Sequence, residues 1–214
     1  VIFENLSTSE NDESLFSGSV NIYQSDIDIK DCLFKSNISE DNINIVRSNF
    51  NITNSIFYQS KSDAIDIDFS DGTLENILVL KSGNDGIDFS GSNIVANSIY
   101  VVRSGDKAIS TGEGSNVSFS NVNLNENYIS IAVKDGSVFK GNKIFSSNNK
   151  YEFTIFKKKK EYSYPKTLIG DYKVDKTTNL YLLGKGSVLK VNNKNYLSNT
   201  NDRDVIKLLY GKDE

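Results

Sequence analysis

The chain of 214 residues contains no histidine, no methionine and no tryptophan, and it has a single cysteine and a single proline. The absence of histidine excludes Ser-His-Asp and Cys-His catalysis, as well as metal sites built on imidazole. Cys32 has no partner for an intramolecular disulfide and lies between apolar residues, so we expect a small core residue. No apolar run is long enough to cross a bilayer, so no membrane span is expected.

The excess of one charge over the other is also small, with a formal net charge of −4 at pH 7. A chain without a strongly basic balance is not expected to bind nucleic acid. The one basic run, Lys157 to Lys160, is interpreted as a solvated loop or a guard on an edge strand. Hydrophobic residues make up 37% of the chain, which is low for a compact globule but sufficient for the narrow core of a solenoid.

The first residues, VIFENLS, read as a strand, with neither an initiator methionine nor a signal peptide before them. We therefore expect a piece of a longer protein, whose other domains would be its partners.

A regular repeat dominates the middle of the chain. Ile43, Ile65, Ile87 and Ile109 follow one another at a constant interval, and Ile129 comes two positions short of the next one. Apolar residues alternate around these isoleucines, as in Ile-Asp-Ile-Asp-Phe at 65–69, which is the pattern of a strand with one buried face. A fixed period of roughly 20 residues is typical of a solenoid in which each unit stacks on its neighbours.

Each repeat contains three short apolar patches, which predicts three strands per turn of the solenoid. The sequence therefore predicts an all-β fold, a single-stranded parallel β-helix, and the handedness of parallel crossovers makes it right-handed. Leucine-rich repeats have a similar period, but their leucine pattern is missing. Polar residues between the second and third patches are expected to form a structural ladder at a bend: Asp31, Asn54, Asn76, Asn97, Asn121 and Asn142.

The repeat ends near residue 150. We predict a β-helix over 1–150, with a less regular first turn at 1–17, and a small C-terminal cap of strands and a helix over 151–214. A turn at Asn192-Asn193 is expected to join two strands of the cap. A short helix is expected to start at Asn201 or Asp202 and to end at Gly211.

Three aspartates are predicted to lie on the outer face of the first strand in each turn. Asp66 and Asp68 alternate with inward apolar residues, and Asp88 falls in the column of Asp66 one turn further on. Stacked like charges destabilise a sheet unless a cation, a shared proton or a basic group compensates. The three residues are therefore candidate ligands for a hard cation such as Ca²⁺, and Asp66 and Asp88 are also a candidate acid–base pair.

Basic residues flank the same turns. Lys107 follows Asp63 and Asp85 in one column, although these two aspartates are also good turn formers. Lys81 and Arg103 stack in a second column, where they either balance charge or bind an anionic sugar chain. On the catalytic interpretation Asp66, Asp88, Lys107 and Arg103 would act in the reaction, and Lys81, Arg103 and Asp68 would bind substrate.

The segments EDNINIVRSNF, SDAIDIDFSDG, GNDGIDFSGSN, GDKAISTGEGSNV and AVKDGS resemble the right-handed parallel β-helix superfamily with the pectate-lyase-like fold. Within it they resemble uncharacterised bacterial β-helix proteins of the kind found alongside CotH-like domains. The resemblance covers roughly residues 18–150 and implies an extracellular or cell-surface setting and association with carbohydrate. The full motifs of polygalacturonases and alginate epimerases are missing, so the resemblance supplies no catalytic site.

Three hypotheses follow. The first is an extracytoplasmic, non-catalytic domain of a larger bacterial surface protein that interacts with polysaccharide. The second is a polysaccharide lyase or glycoside hydrolase that acts on anionic glycans through the aspartate cluster. The third is a structural spacer or assembly module.

Overall fold

The isoleucine repeat forms the centre of a parallel β-helix of about eight turns in the computed structural model, which describes residues 1–8 and 16–211. The predicted fold class is confirmed. In chain order the elements are β1 (Ile2–Glu4), β2 (Gly18–Tyr23), β3 (Ile27–Lys30), β4 (Leu33–Lys35), β5 (Asp41–Val46), β6 (Asn49–Tyr58), β7 (Asp63–Asp68), β8 (Asp71–Leu80), β9 (Ile87–Ser90), β10 (Asn93–Val102), β11 (Lys107–Gly112), β12 (Asn116–Asn125), β13 (Ile129–Lys134), β14 (Val138–Ser147), β15 (Tyr151–Phe156), β16 (Lys166–Ile169), β17 (Tyr172–Asp175), β18 (Asn179–Leu183), β19 (Val188–Val191), β20 (Lys194–Tyr196) and α1 (Asp202–Tyr210).

Two sheets run along the solenoid. Sheet 1 has the order β2-β5-β7-β9-β11-β13-β15-β18 and carries the isoleucine repeat. Sheet 2 has the order β1-β4-β6-β8-β10-β12-β14-β16-β19-β20, with β3 also paired to β6 and β17 to β14. All of these pairings are parallel except the one between β19 and β20.

The repeat is more regular than the sequence suggested. Ile43, Ile65, Ile87 and Ile109 are register partners, and the next partner is Ile131, again at the full interval. Ile129 instead pairs with Lys107. The expected shortfall of two positions is therefore wrong. Ile129 lies on the outer face, in a separate apolar cluster that includes Leu209 of α1.

The second and third predicted strands of each turn are joined into one long strand that bends in the middle. The bending residue has the left-handed backbone conformation, with φ between 49° and 56°, in Asp31, Asn54, Asn76, Ser98 and Asn121, and Lys143 continues the series at 53°. Asn97 and Asn142 precede the bend and so do not belong to this column, contrary to the predicted ladder. Asn76 donates to Asn54 at 2.9 Å.

Buried serines form a ladder at the turn from sheet 1 to sheet 2. The backbone N–H of Ser48 donates to the Ser70 hydroxyl, Ser70 N–H to Ser92, and Ser92 N–H to Ser115, each at 3.0 Å. These hydroxyls satisfy backbone donors that the turn would otherwise leave unpaired in the interior. The ladder therefore fixes the start of each long strand.

A buried carboxylate joins the later turns from inside. Glu152 accepts a hydrogen bond from Ser130 at 2.8 Å, and Ser146 and Tyr172 donate to the same oxygen. Burial, with the neighbouring Glu152 charge, raises the pKa of Tyr172 well above its ordinary value. Ser130 thus faces the interior, and the outer column that was expected to contain it continues through Ala132.

The C-terminal elements close the solenoid. Parallel pairing continues through β19, and β20 then forms an antiparallel hairpin at Asn192-Asn193, as expected from sequence. The predicted helix is also present, with Asn201 as its N-cap and Gly211 in the left-handed conformation at its end. The division at residue 150 stays a prediction. The parts of the predicted first turn and cap at 9–15 and 212–214 lie outside the described residues.

Helix α1 covers one end of the outer face of sheet 1. Val205 and Ile206 pack on Phe156, and Leu209 contacts the apolar cluster around Ile129. The outer face of β5, β7 and β9 is not covered by this helix. Among the described residues, none of the helices has the length and apolar character required to span a membrane.

Candidate functional site

Asp66 and Asp88 lie side by side on the outer face of sheet 1. They are register partners on the adjacent strands β7 and β9, as predicted. The inward isoleucines on both strands fix this outward orientation, because successive side chains of a strand alternate between its faces. Neighbouring strands are about 4.8 Å apart, so the two carboxyl groups belong to one local site.

The two carboxyl groups are pushed toward opposite protonation states. Burial, together with the nearby charges of Asp68, Asp41 and Asp88, raises the pKa of Asp66 to about 9. Burial acts to raise the pKa of Asp88 as well. The positive charges of Lys134 and Lys107, together with hydrogen bonding to the carboxylate, outweigh burial, so the pKa of Asp88 lies below its ordinary value. At neutral pH the pair therefore holds one proton, on Asp66, and one negative charge, on Asp88.

Both carboxyl groups of the pair accept hydrogen bonds. Asn44 donates its amide to Asp66 Oδ2 at 2.8 Å and is 3.4 Å from Asp68 Oδ2. The backbone N–H of Phe89 donates to Asp88 Oδ1 at 3.0 Å, which favours the ionised form.

Lys134 is a site residue that the sequence did not reveal. It lies two strands beyond Asp88, and its side chain passes Gly112 on the intervening strand, where an added Cβ would be in ordinary van der Waals contact with Lys134 Cε at 3.5 Å. Burial disfavours the charge on Lys134, but Asp88 raises its pKa above the ordinary value. The alignment that placed Ile129 in the column of Ile109 hid the relation, since the true column requires Ile131.

A second ion-paired group lies in the next column. Lys107 is 3% exposed; its ammonium group is 3.3 Å from Asp85 Oδ1 and also pairs with Asp106. Asp63 accepts hydrogen bonds from the backbone N–H of Asp85 at 2.7 Å and from Asn84 at 2.6 Å. Asp63 and Asp85 thus accept hydrogen bonds that stabilise the turns, and they also extend the carboxylate cluster toward Asp88.

Part of this cluster has the arrangement of a cation site. Asp63, Asp85 and Asp88 each offer one carboxylate oxygen, and these oxygens lie within 4.8 Å of one another. Oxygen donors of this kind suit a hard cation. Of the predicted ligands Asp66, Asp68 and Asp88, only Asp88 belongs to this group.

An aromatic pocket adjoins the carboxyl pair. It encloses about 340 Å³ and is lined by Phe16, Tyr23, Val46, Arg47, Asp68 and Phe69. Phe16 and Tyr23 meet edge to face with ring centroids 6.0 Å apart, and Arg47 donates to the Tyr23 hydroxyl at 3.4 Å. Asp68 belongs to this wall and is two residues from Asp66, so the pocket and the carboxyl pair form one continuous surface.

Phe69 is held open to solvent by its backbone. Its φ of 49° is in the left-handed region, which a bulky residue rarely adopts, and its side chain is 52% exposed. The ring lies over Gly91 of the next turn, where an added Cβ would be only 2.5 Å from Phe69 Cδ1. The sequence pattern Ile-Asp-Ile-Asp-Phe predicts that the Phe69 ring points inward. The backbone bend after β7 turns the ring outward instead.

Lys81 and Arg103 lie elsewhere. Arg103 is exposed and pairs with Glu126 at 2.6 Å. The ammonium group of Lys81 lies 5.8 Å from the centre of the Tyr58 ring. Within residues 1–8 and 16–211, neither side chain has an ion pair with Asp66 or Asp88, because the corner that carries them points into solvent.

A larger cavity, of about 450 Å³, lies on the face of sheet 2. Its carboxylates are already engaged by asparagines of adjacent turns: Asn49 donates to Asp26, Asn51 to Asp28 and Asn93 to Asp71, at 2.7–3.0 Å. We interpret this cavity as an exposed amide–carboxylate ladder that supports the sheet.

The chain matches no family model, and it matches no curated protein. Among solved structures it is similar to the A-module of the mannuronan C-5 epimerase AlgE4 of Azotobacter vinelandii, with 13% sequence identity and a TM-score of 0.49. The similarity covers 87% of this chain and 58% of that one.

Proposed function

We propose that the protein binds a polysaccharide on the outer face of sheet 1, across the aromatic pocket and the neighbouring carboxyl pair. The observation that carries the proposal is the continuity of these two features through Asp68. Binding sites for small ligands typically combine aromatic walls with a few well-placed polar groups. A solenoid that served only as a spacer would need neither the exposed ring of Phe69 nor the half-buried carboxyl pair on the same sheet.

The chemistry of the pocket suits sugar rings. Aromatic faces can pack against the apolar C–H face of a sugar, while its hydroxyl groups bond to polar atoms at the rim. Asp68 supplies an acceptor, and Arg47 supplies donors that pair well with a carboxylate. The pocket therefore accommodates a neutral sugar or a uronate.

We further propose that the domain works outside the cytoplasm, as part of a larger bacterial surface protein and alongside domains such as the CotH-like kind. The proposal rests on the resemblance of segments 18–150 to such surface proteins. Surface labelling of intact cells that express the full-length gene would test it, and labelling only after lysis would contradict it.

Binding can be tested with a panel of neutral and anionic polysaccharides. Replacing Phe69 by Ala removes the exposed wall of the pocket, and we expect about a ten-fold loss of affinity for the bound glycan, the equivalent of about 1.4 kcal/mol. Phe145→Ala is the matched control, since Phe145 is 42% exposed on β14 of sheet 2. Equal losses in both variants, or no glycan bound by the wild type, would contradict the proposal.

A second candidate function is cleavage of the bound glycan, favoured by the opposite pKa shifts of Asp66 and Asp88. Neighbouring carboxyl groups with separated pKa values are the pattern of a general acid beside a base or nucleophile. Asp66 would donate a proton to the leaving oxygen, and Asp88 would remove a proton or attack the sugar, with its charge maintained by Lys134. In glycosidases a carboxyl separation of about 5 Å accompanies retention of configuration. Lys107 is occupied by Asp85 and Asp106 and is assigned no direct role.

Release of new reducing ends and of unsaturated uronate products, followed on the same panel, tests for cleavage. Asp88→Asn should abolish turnover, whereas the control Asp28→Asn, which changes an outward aspartate of sheet 2, should not. Unchanged turnover in Asp88→Asn would contradict this assignment.

A Ca²⁺ ion would bind at the triad of Asp63, Asp85 and Asp88, and we propose that glycan binding does not require it. The ammonium groups of Lys107 and Lys134 already supply positive charge there. We therefore expect glycan binding to persist in EDTA. A loss that CaCl₂ restores in the wild type and not in Asp63→Asn would assign Ca²⁺ to the triad instead.

A further inference from the structure

A basic pocket lies at the junction of the solenoid and α1, apart from the carboxyl pair. It encloses about 290 Å³ between the loop after β15 and the first turn of the helix. Its lining consists of Lys157, Lys158, Lys160, Asp202, Arg203 and Ile206. The lining thus contains four cationic side chains, one carboxyl group and one apolar side chain.

The loop that carries the lysines is held in place by two carboxylates. Asp202 accepts the backbone N–H of Lys157 at 3.0 Å. Asp135 accepts the backbone N–H groups of both Lys158 and Lys159 at 2.7 Å. The backbone of the pocket wall is therefore fixed by hydrogen bonds to carboxylates.

The cations of the pocket lack anionic partners of their own. Lys159, which is not part of the lining, pairs with Glu113. In the described part of the chain, none of the four lining cations has a carboxylate within ion-pair distance. The ammonium groups of Lys157 and Lys158 instead lie over tyrosine rings, 4.5 Å from the centre of Tyr164 and 4.4 Å from that of Tyr210.

Like charges crowd one of these cations. Burial lowers the pKa of Lys158, and the nearby Lys134 and Lys107 lower it further. Burial also raises the pKa of Asp202, the one carboxyl group in the lining. A bound anion would relieve both the crowding and the lack of partners.

We propose that this pocket is an oxyanion-binding site, which takes a sulfate, phosphate or carboxylate group either free in solution or attached to a polysaccharide. Lysine and arginine bind such groups by charge-assisted hydrogen bonds. The pocket is on the cap side of sheet 1, and the inference stands whether or not the aromatic pocket binds glycan.

Calorimetric titration of the full chain with sodium sulfate and sodium phosphate, at constant ionic strength set with NaCl, tests the proposal. We expect saturable binding by the wild type. In the double variant Lys158→Gln/Arg203→Gln we expect the affinity for these ions to fall at least about ten-fold. The matched control is Lys166→Gln/Lys173→Gln, which removes two exposed charges from sheet 2 and should keep wild-type affinity. If the double variant unfolds, Arg203→Gln alone serves, since Arg203 is exposed on α1.

Absence of saturable binding, or equal losses in the test and control variants, would overturn the inference. Dextran sulfate and uncharged dextran identify the source of the group. Tighter binding of dextran sulfate than of free sulfate, lost in the Lys158/Arg203 variant, would support a polymer-borne ligand. Binding of the free ions alone would support a small oxyanion.

Discussion

Replacing Asp66 by Asn should stabilise the protein, and increasingly so as the pH rises. In the unfolded chain Asp66 has an ordinary pKa of 3.8, whereas burial and the neighbouring carboxylates raise the pKa in the folded protein to about 9. The folded state therefore binds the Asp66 proton more tightly than the unfolded state. The stability that this proton provides is fully present below about pH 4 and is lost as the pH rises toward 9.

The magnitude follows from the shift. One pKa unit corresponds to about 1.4 kcal/mol, so full expression of the shift between pH 4 and pH 8 would cost about 5 kcal/mol. Asp66 is partly exposed and solvent screens its neighbours, which reduces the expected cost to about 1–3 kcal/mol. Asparagine carries no charge and can still accept the hydrogen bond from Asn44, so the variant escapes this cost.

Thermal unfolding of both proteins at pH 4 and pH 8 measures the difference. For a chain of this size we expect equal midpoints at pH 4 and a midpoint about 2–10 °C higher for Asp66→Asn at pH 8. The control is Asp28→Asn, because Asp28 also accepts from an asparagine amide but is exposed on sheet 2. The reasoning would be refuted if the midpoint of Asp66→Asn rose by the same amount at both pH values, or if it fell at pH 8.

Two further substitutions test the surroundings of the site. Gly91→Ala adds a Cβ beneath the Phe69 ring at a position with φ of 61°. We expect the free energy of unfolding in urea to fall by about 1–3 kcal/mol and glycan binding to weaken. Unchanged values would show that the ring does not rest on Gly91. Lys107→Gln leaves Asp85 buried without its ammonium partner; we expect a loss of about 3–5 kcal/mol in the same assay, and a loss below about 1 kcal/mol would contradict the buried ion pair.

The register of Asp66 and Asp88 could be predicted from sequence because the inward isoleucines at a constant period fix which residues face outward. Lys134 could not be placed, since both Ile129 and Ile131 fit the strand pattern. In the structure Ile129 belongs to an outer apolar cluster against which Leu209 of α1 packs, much later in the chain. A periodic pattern cannot contain that contact.

The aromatic pocket also could not be predicted from the repeat. It combines Phe16 and Tyr23 from the start of the solenoid with Phe69, whose side chain is turned outward by a left-handed backbone conformation. Conversely, Arg103 was expected near the carboxylates because it shares their turn. Its position on an exposed corner and the ion pair with Glu126 in the following turn hold it away.

The central claim is that Asp66 and Asp88, side by side on sheet 1, hold opposite protonation states at neutral pH. A carbon-13 NMR titration of the aspartate carboxyl groups, assigned through Asp66→Asn and Asp88→Asn, measures this directly. We predict that Asp66 remains protonated at pH 7 and loses its proton only at higher pH, whereas Asp88 loses its proton at a lower pH than an ordinary aspartate does. Titration of both carboxyl groups close to pH 4 would contradict the account.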